Sequence, residues 1–292
     1  MATISGVITA MVTPFDEGGR LDADAARRLA GHLGENGSHG LVIAGTTGES
    51  PTLSDAEKLD LLRAVKDEVG DELMLIFGSG SNDTHHSVEL TRAGAEAGAN
   101  AFLVVTPYYN KPNHAGLLGH FGAVAEAAGS LPVVVYNIPS RCVVNIDPEL
   151  LAELGRIDNV AAVKQANNDD LGPIEGLDVL AGNDEIFMRC LEFGGTGGIL
   201  VASNLVGWEM REVYDAATGG DMDRARELDS ALRKIYQAMN VTTNPIPVKA
   251  GVEMLGLIGG RMRLPMVEAD EEQRAVVRAA LERQGLLAAS PG

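Results

Sequence analysis

Asn159-Val160-Ala161-Ala162-Val163-Lys164-Gln165 is a short apolar run that ends in a lysine. An amine there is costly to bury unless it pairs, loses its proton or reacts. The chain has six lysines, and Lys164 is the only one that directly closes a strand-like run of this kind. Its flanks give the context. Upstream, Asp147-Pro148 starts a helix in the cap-then-proline arrangement. Downstream, 169–176 reads as a short helix and 178–181 as another apolar strand, ending at Gly182-Asn183-Asp184.

The same alternation extends in both directions. Apolar runs at 6–13, 40–44, 73–77, 101–105 and 132–136 precede the lysine run, and 198–201 follows 178–181. Segments 22–36, from Ser54 to about residue 69, 83–98, 116–128, 185–193 and 206–218 have helical character; Leu21, Ala25, Leu29 and Leu33 recur at four-residue intervals. Ser54 with Glu57 three residues later is a capping box. Eight short apolar strands thus alternate with eight helical segments. Continuous apolar runs are what buried parallel strands look like, and a count that closes at eight predicts a (β/α)8 TIM barrel. A doubly wound open sheet is the competitor, but Gly45-Thr46-Thr47-Gly48-Glu49 does not fit the dinucleotide fingerprint such a sheet wants after an early strand. After Gly220 the alternation stops, and 221–239, 245–257 and 271–284 read as helices. The expected organisation is a catalytic barrel over 1–220 and a C-terminal helical extension over 221–292.

Composition bounds the function. The chain has 292 residues, 45% of them apolar, and a net charge of −18 from 41 acidic and 23 basic residues. That balance argues against nucleic acid or an anionic membrane surface as the main partner. Cys142 and Cys190 have no metal-ligand spacing, and a reducing cytoplasm fits them. The N-terminus has no basic n-region of a secretory signal, and no apolar run approaches membrane-spanning length. His85 and His86 begin a helix without metal spacing and are expected to be exposed. Gly194-Gly195-Thr196-Gly197-Gly198 precedes strand eight, at the end of the barrel away from the site, and reads as a closely packed turn.

Barrel enzymes place their chemistry at the carboxyl ends of the strands. Here those ends carry Ala10 to Thr13, Thr46 and Thr47, Tyr108 and Tyr109, Tyr136 and Arg141, Lys164, Gly182 and Asp184, and Ser203 and Asn204. Tyr214 and Tyr236 fall in helices and read as packing residues. A lysine among hydroxyls and one arginine suggests Schiff-base chemistry. An apolar site lowers the amine pKa from about 10.4 toward the range where it attacks a carbonyl, and the imine then serves as an electron sink. Tyr136, Tyr109 and Thr46 suit a proton relay. Arg141 suits a substrate carboxylate through its planar fork. The bland reading of Lys164 is a side chain snorkelling from a strand end; Cys142 reads as a neighbour of Arg141 rather than a nucleophile.

The ordered motifs Ala10-Met11-Val12-Thr13-Pro14-Phe15, Gly45-Thr46-Thr47-Gly48-Glu49-Ser50, Val105-Thr106-Pro107-Tyr108-Tyr109-Asn110-Lys111-Pro112, Tyr136-Asn137-Ile138-Pro139-Ser140-Arg141, Val163-Lys164, Asn244-Pro245-Ile246-Pro247-Val248-Lys249 and Arg263-Leu264-Pro265-Met266 resemble the dihydrodipicolinate synthase and N-acetylneuraminate lyase family of class I aldolases over nearly the whole chain. The resemblance implies a Schiff base between Lys164 and pyruvate, with Thr47 and nearby backbone on the pyruvate carboxylate. It implies a relay of Tyr136, Thr46 and Tyr109, the last supplied by a neighbouring subunit, with Tyr108 packed at that interface. Ile199 and Ala10 would line the pyruvate site and Gly182 would approach the second substrate. It further implies a cytoplasmic homotetramer, a dimer of dimers, with no metal or cofactor.

Within that family, Arg141 and the Asn-Pro-Ile-Pro-Val-Lys tail point to condensation of pyruvate with L-aspartate 4-semialdehyde in the diaminopimelate route to lysine. Two departures bear on the second substrate: Cys142-Val143 stands where the resemblance expects Thr-Gly, and Gln165 where an acid is usual. Lysine-inhibited relatives hold the effector near the positions of Ser50, Pro51, Asn82 and Tyr108. His86 occupies the position of the glutamate that holds its amine, and Asp55 and Lys58 stand where histidines are found, which predicts weak or absent lysine inhibition. The competing readings are another pyruvate aldolase acting on a sugar acid or hydroxy-oxo acid, a metal- or phosphate-dependent barrel with a structural Lys164, and a non-catalytic barrel.

Overall fold

The eight apolar runs close on themselves. In the computed structural model, which describes residues 3–288, β1 (Gly6–Ala10), β2 (Gly40–Ile43), β3 (Met74–Gly78), β4 (Ala101–Val105), β5 (Val133–Asn137), β6 (Val160–Gln165), β7 (Asp178–Ala181) and β8 (Gly197–Leu200) form a closed barrel in chain order. All pairings are parallel, including β8 back to β1. Around it run α1 (Ala23–Glu35), α2 (Asp55–Val69), α3 (Thr84–Glu96), α4 (His114–Ala128), the single turn α5 (Pro139–Cys142), α6 (Pro148–Leu154), α7 (Phe187–Glu192) and α8 (Ser203–Thr218).

Successive strand residues point to opposite faces, and here both faces are dry. Val7, Leu41, Leu75, Phe102 and Val163 pack outward among the helices, while their neighbours Ile8, Val42, Ile76, Leu103 and Ala162 fill the other face as a separate core inside the barrel. That double burial is why the strands show no polar alternation in sequence. Helix starts follow their caps: Asp22, Asp83, Asn113 and Asp147 each accept a backbone N–H, and Ser54 and Glu57 complete the capping box of α2.

Two expectations fail locally. No α-helix forms over 169–176; only a 3-10 turn at Asn168–Asp170 stands between β6 and β7. Gly172, Pro173 and Gly176 interrupt the segment, Gly176 at φ 81, so helical propensity is lost where it was needed. The last barrel helix starts at Ser203 rather than 206, in a first turn separated from the rest by non-helical Val206 (φ −129, ψ 43). The turn at 194–198 is as tight as expected, since a side chain at Gly195 or Gly197 would strike Cys190 or Gly6.

Past the barrel, α9 (Met222–Met239) packs on α8, and α10 (Ile246–Met254) and α11 (Glu271–Arg283) pack on each other. Among the described residues no helix is long and apolar enough to cross a membrane.

Candidate active site

Lys164 is the penultimate residue of β6 and shares the inner face with Ala162. Tyr136 stands in register with it on β5, and Nζ lies 4.3 Å from that ring's centroid. The lysine is 4% exposed, and its amine has no hydrogen-bond or ion-pair partner among the described residues. Burial pulls its pKa down to about 7; Asp184 opposes the shift and Arg141 adds to it. Burial pushes the Tyr136 phenol up to about 12, against the pull of Arg141 and of a hydrogen bond with Thr46. At neutral pH the site therefore holds a substantially neutral amine beside a protonated phenol.

Beyond β2 the chain turns through Ala44 and Glu49, both at φ 55 although neither is glycine. Between them lie Thr46 and the buried Thr47, whose Oγ1 accepts a hydrogen bond from Asn244 Nδ2 at 3.0 Å. Thr13 Oγ1 donates to the Gly48 carbonyl at 2.6 Å from the end of β1. Ala10 and Ile199 are buried in the inner core with Tyr136. No side chain fits at Gly182, because a Cβ there would meet the Gln165 carbonyl at 2.7 Å. Arg141, on α5, is exposed and donates to the Asn244 carbonyl at 3.0 Å. It lies where two cavities meet. One, of about 240 Å³, is lined by Lys164, Tyr136, Thr47, Gly182, Asp184 and Asn244. The other, of about 470 Å³, shares Tyr136 and Arg141 and extends outward past Thr46 to Tyr108.

The geometry thus gathers Lys164, Tyr136, Thr46, Thr47, Arg141 and Gly182 around two cavities that share Tyr136, Ile138 and Arg141. Tyr109 lies elsewhere: it is 88% exposed at φ 70 and lines neither cavity. Tyr108 is 38% exposed at the rim of the larger one. Ser50, Pro51, Asn82 and His86 line that outer cavity together with Asp55 and Lys58. His85 is exposed as expected; His86 is instead half-covered, because its Nε2 meets Asp55 Oδ2 at 2.8 Å. Asp55 also receives Lys58 Nζ at 3.4 Å. Cys142 is buried and its thiol is pushed up to about 11 by that burial, which suits packing rather than attack. Gln165 is 1% exposed and acts through its carbonyl, accepting from Asn137 Nδ2 and the Asn167 N–H. A carboxylate would accept the same two bonds, so the amide keeps the local frame.

Four polar residues received no role from sequence. Asp184, at the exit of β7, is 5% exposed, accepts from the Val201 and Ala202 N–H groups, and is pushed up to about 6 by burial. Its position on the strand-end rule was the available signal. Asn244 contacts both Thr47 and Arg141. Lys249 and Glu49 form an ion pair at 2.5 Å in which each side chain is 1% exposed. Their signal was a lysine ending the apolar stretch Ile246-Pro247-Val248, with no clue to what it faced. Among the described residues no cluster of three or more His, Cys, Asp or Glu is arranged to hold a metal.

A buried, unpaired amine facing a phenol at the carboxyl end of a (β/α)8 barrel defines a class of protein: a Schiff-base-forming enzyme of the class I aldolase type. The comparisons narrow it. The model of the dihydrodipicolinate synthetase family matches residues 3–284, and the chain belongs to that family. A 4-hydroxy-tetrahydrodipicolinate synthase of Desulforudis audaxviator is 44% identical, the match covering 96% of this chain and 98% of that one. A crystal structure of a dihydrodipicolinate synthase superposes with a TM-score of 0.94 at 40% identity, covering 97% of this chain and all of the other. The enzyme of Acinetobacter baumannii, solved with pyruvate, gives a TM-score of 0.94 at 34% identity, covering 98% of this chain and all of that one.

Proposed function

We propose that this chain is an enzyme that condenses pyruvate, held as a Schiff base on Lys164, with L-aspartate 4-semialdehyde, the activity of a 4-hydroxy-tetrahydrodipicolinate synthase in diaminopimelate and lysine biosynthesis. The observation that carries the reading is the buried, unpaired amine of Lys164 against Tyr136. Neutral Nζ attacks the pyruvate ketone carbon. Proton transfer gives a carbinolamine, which loses water to form the imine. The imine draws electrons from the methyl carbon; loss of one of its protons gives an enamine, which attacks the aldehyde. The alkoxide so formed takes up a proton to become the hydroxyl. The amino group of the semialdehyde then attacks the imine carbon, closes the ring as a cyclic imine and expels the Lys164 amine, so the one water released overall is the one lost from the carbinolamine. The Tyr136 phenol, which stands in register with Lys164 and whose rise in pKa Thr46 opposes, is the local proton carrier. Thr47 and the turn around it are assigned to the pyruvate carboxylate, and Arg141, free at one edge of its guanidinium, to the carboxylate of the semialdehyde.

Tyr109 is the missing relay member. Its exposure and left-handed backbone support its delivery to a neighbouring copy across an interface that includes Tyr108, in a homotetramer built as a dimer of dimers. In the outer cavity an incoming amine meets Lys58 and His86, with Asp55 already engaged by both; this supports weak or absent inhibition by lysine, and abolition of turnover by millimolar lysine would refute it.

Borohydride reduction in the presence of pyruvate, followed by peptide mapping, tests the reading. The expected result is a stable adduct on Lys164. No adduct, or one on another residue, overturns the Schiff-base assignment. A coupled assay then separates the semialdehyde from sugar acids and hydroxy-oxo acids as the second substrate, and Arg141→Ala should impair use of the semialdehyde while sparing the pyruvate adduct.

A further inference from the structure

The turn that carries Thr46 and Thr47 is fastened by residues about two hundred positions further along the chain. Glu49 closes that turn at φ 55, ψ 36, a conformation that non-glycine residues adopt only when something holds them there. Its carboxylate is inside the protein. Oε1 accepts from Lys249 Nζ at 2.5 Å, and Oε2 accepts from the Arg263 N–H at 3.2 Å. Lys249 is 0% exposed; its ammonium also donates to the Arg261 carbonyl at 2.6 Å and lies 4.2 Å from the Phe15 ring centroid. Five residues earlier, Asn244 donates to Thr47 Oγ1 while its carbonyl accepts from Arg141. The segment 244–263 therefore bears on the threonine turn from behind and reaches Arg141 as well.

We propose that Lys249 and Glu49 are positioning residues of the active site: their buried ion pair holds the threonine turn in the geometry that receives the pyruvate carboxylate. This rests on the pyruvate reading above. Neither residue touches substrate; they act through Thr46 and Thr47. A buried ion pair is a poor device for stability alone, since apolar residues of the same volume serve as well. What the pair supplies is direction. One oxygen of Glu49 is tied to α10 and the other to the chain at Arg263, so the turn has little freedom to rotate. The tail has a second tie to the barrel in Arg263, which donates to Glu57 on α2 and to the Thr52 and Gly19 carbonyls. Glu57 is a built-in control, because its carboxylate anchors the same tail at the Arg263 guanidinium and itself touches none of Thr46, Thr47 and Glu49.

The test compares Lys249→Met, Glu49→Gln and Glu57→Gln in the full-length protein, at a temperature where circular dichroism reports each folded. Two quantities are read: kcat/KM for each substrate, and the amount of borohydride-trapped adduct at subsaturating pyruvate. Lys249→Met and Glu49→Gln should lower kcat/KM for pyruvate and the trapped adduct by about tenfold or more, the scale expected when a binding group is displaced by a fraction of an ångström. Their kcat/KM for the semialdehyde should stay within about twofold, and Glu57→Gln should leave both substrates within the same margin. A merely structural pair predicts otherwise. Folded variants that keep pyruvate kcat/KM, lose both substrates equally, or are matched by Glu57→Gln overturn the proposal. Glu49→Gln preserves volume and an acceptor for Arg263, so it decides the matter if Lys249→Met does not fold. Wild-type protein that traps no pyruvate would instead sink the functional reading, before any variant is made.

Discussion

Two buried amines in this molecule lie at nearly the same distance from an aromatic ring, Lys164 at 4.3 Å from Tyr136 and Lys249 at 4.2 Å from Phe15. Burial pulls both below the ordinary lysine range. Their surroundings then diverge. Lys249 is met by a carboxylate and a carbonyl within 2.6 Å. Lys164 has no such partner, and Asp184, the carboxylate whose charge bears on it, is spent on two backbone N–H groups. The same residue type is a fixed cation in one place and, in the proposed mechanism, a nucleophile in the other. What decides is whether the protein provides an acceptor within hydrogen-bond reach. The contrast extends along the mouth of the site: the threonine turn is clasped from behind, while Lys164, Arg141 and the loop after it face open space.

The comparison can be broken first at the amines themselves. Lys164→Met should abolish the pyruvate adduct and lower turnover by at least about a thousandfold, as for loss of a covalent nucleophile, while stability measured by urea unfolding holds or rises, because an unpaired buried amine has been removed. Lys249→Met should cost about 3–5 kcal/mol of stability, because Glu49 is left buried without its cation. The double variant Lys249→Met with Glu49→Gln should recover much of that loss in the same urea titration. If Lys164→Met proves the more destabilising, the distinction between the two amines is wrong.

How far this contrast was legible in sequence differs between the two. Lys164 could be found because β6 is local: an apolar run and a strand-end rule suffice. The barrel could be found because eight doubly buried strands leave an apolar signature that turns and caps punctuate. The missing helix between β6 and β7 could have been anticipated from Gly172, Pro173 and Gly176, but strand-helix rhythm overrode them. Lys249 was invisible for another reason. Its meaning lies in Glu49, two hundred residues away, and no periodicity encodes a contact at that separation. Tyr109 is a third case, since its proposed role needs a second copy of the chain.

The pH dependence sharpens the comparison at Lys164. With a pKa of about 7, the amine is about 90% neutral at pH 8, half neutral at pH 7 and about 10% neutral at pH 6. Only the neutral form attacks, so kcat/KM for pyruvate should fall by about tenfold per unit below pH 7 and level off above pH 8. The groups bearing on that titration are Asp184, Arg141 and Tyr136. Asp184 raises the amine's pKa while it is ionised, and it takes up a proton at about 6. Asp184→Asn should therefore move the acid limb to lower pH. An acid limb that stays put would show that Asp184 matters to the β8 turn and not to the amine.

The smallest effect expected is at Val143, and it probes the open side against the clasped side. Val143 and Glu49 both have positive φ, 67 and 55, in a region where a β-branched residue costs about 1–3 kcal/mol. Glu49 is held there by its carboxylate. Val143 is 65% exposed at the end of α5, and its side chain gains little in return. Val143→Gly relieves the strain but gives the unfolded chain more freedom. The two terms leave a net stabilisation of about 1 kcal/mol, seen as a rise of about 2 °C in Tm. Use of the semialdehyde should change by less than about twofold, because the Asn244 carbonyl, not the backbone at 143, holds the Arg141 guanidinium. Glu49→Gly, at a similar φ, should do the opposite and lower Tm, since it releases the same kind of backbone strain but leaves Lys249 buried without its carboxylate. If both glycine substitutions stabilise, the clasp behind the threonine turn is not what holds Glu49 in place.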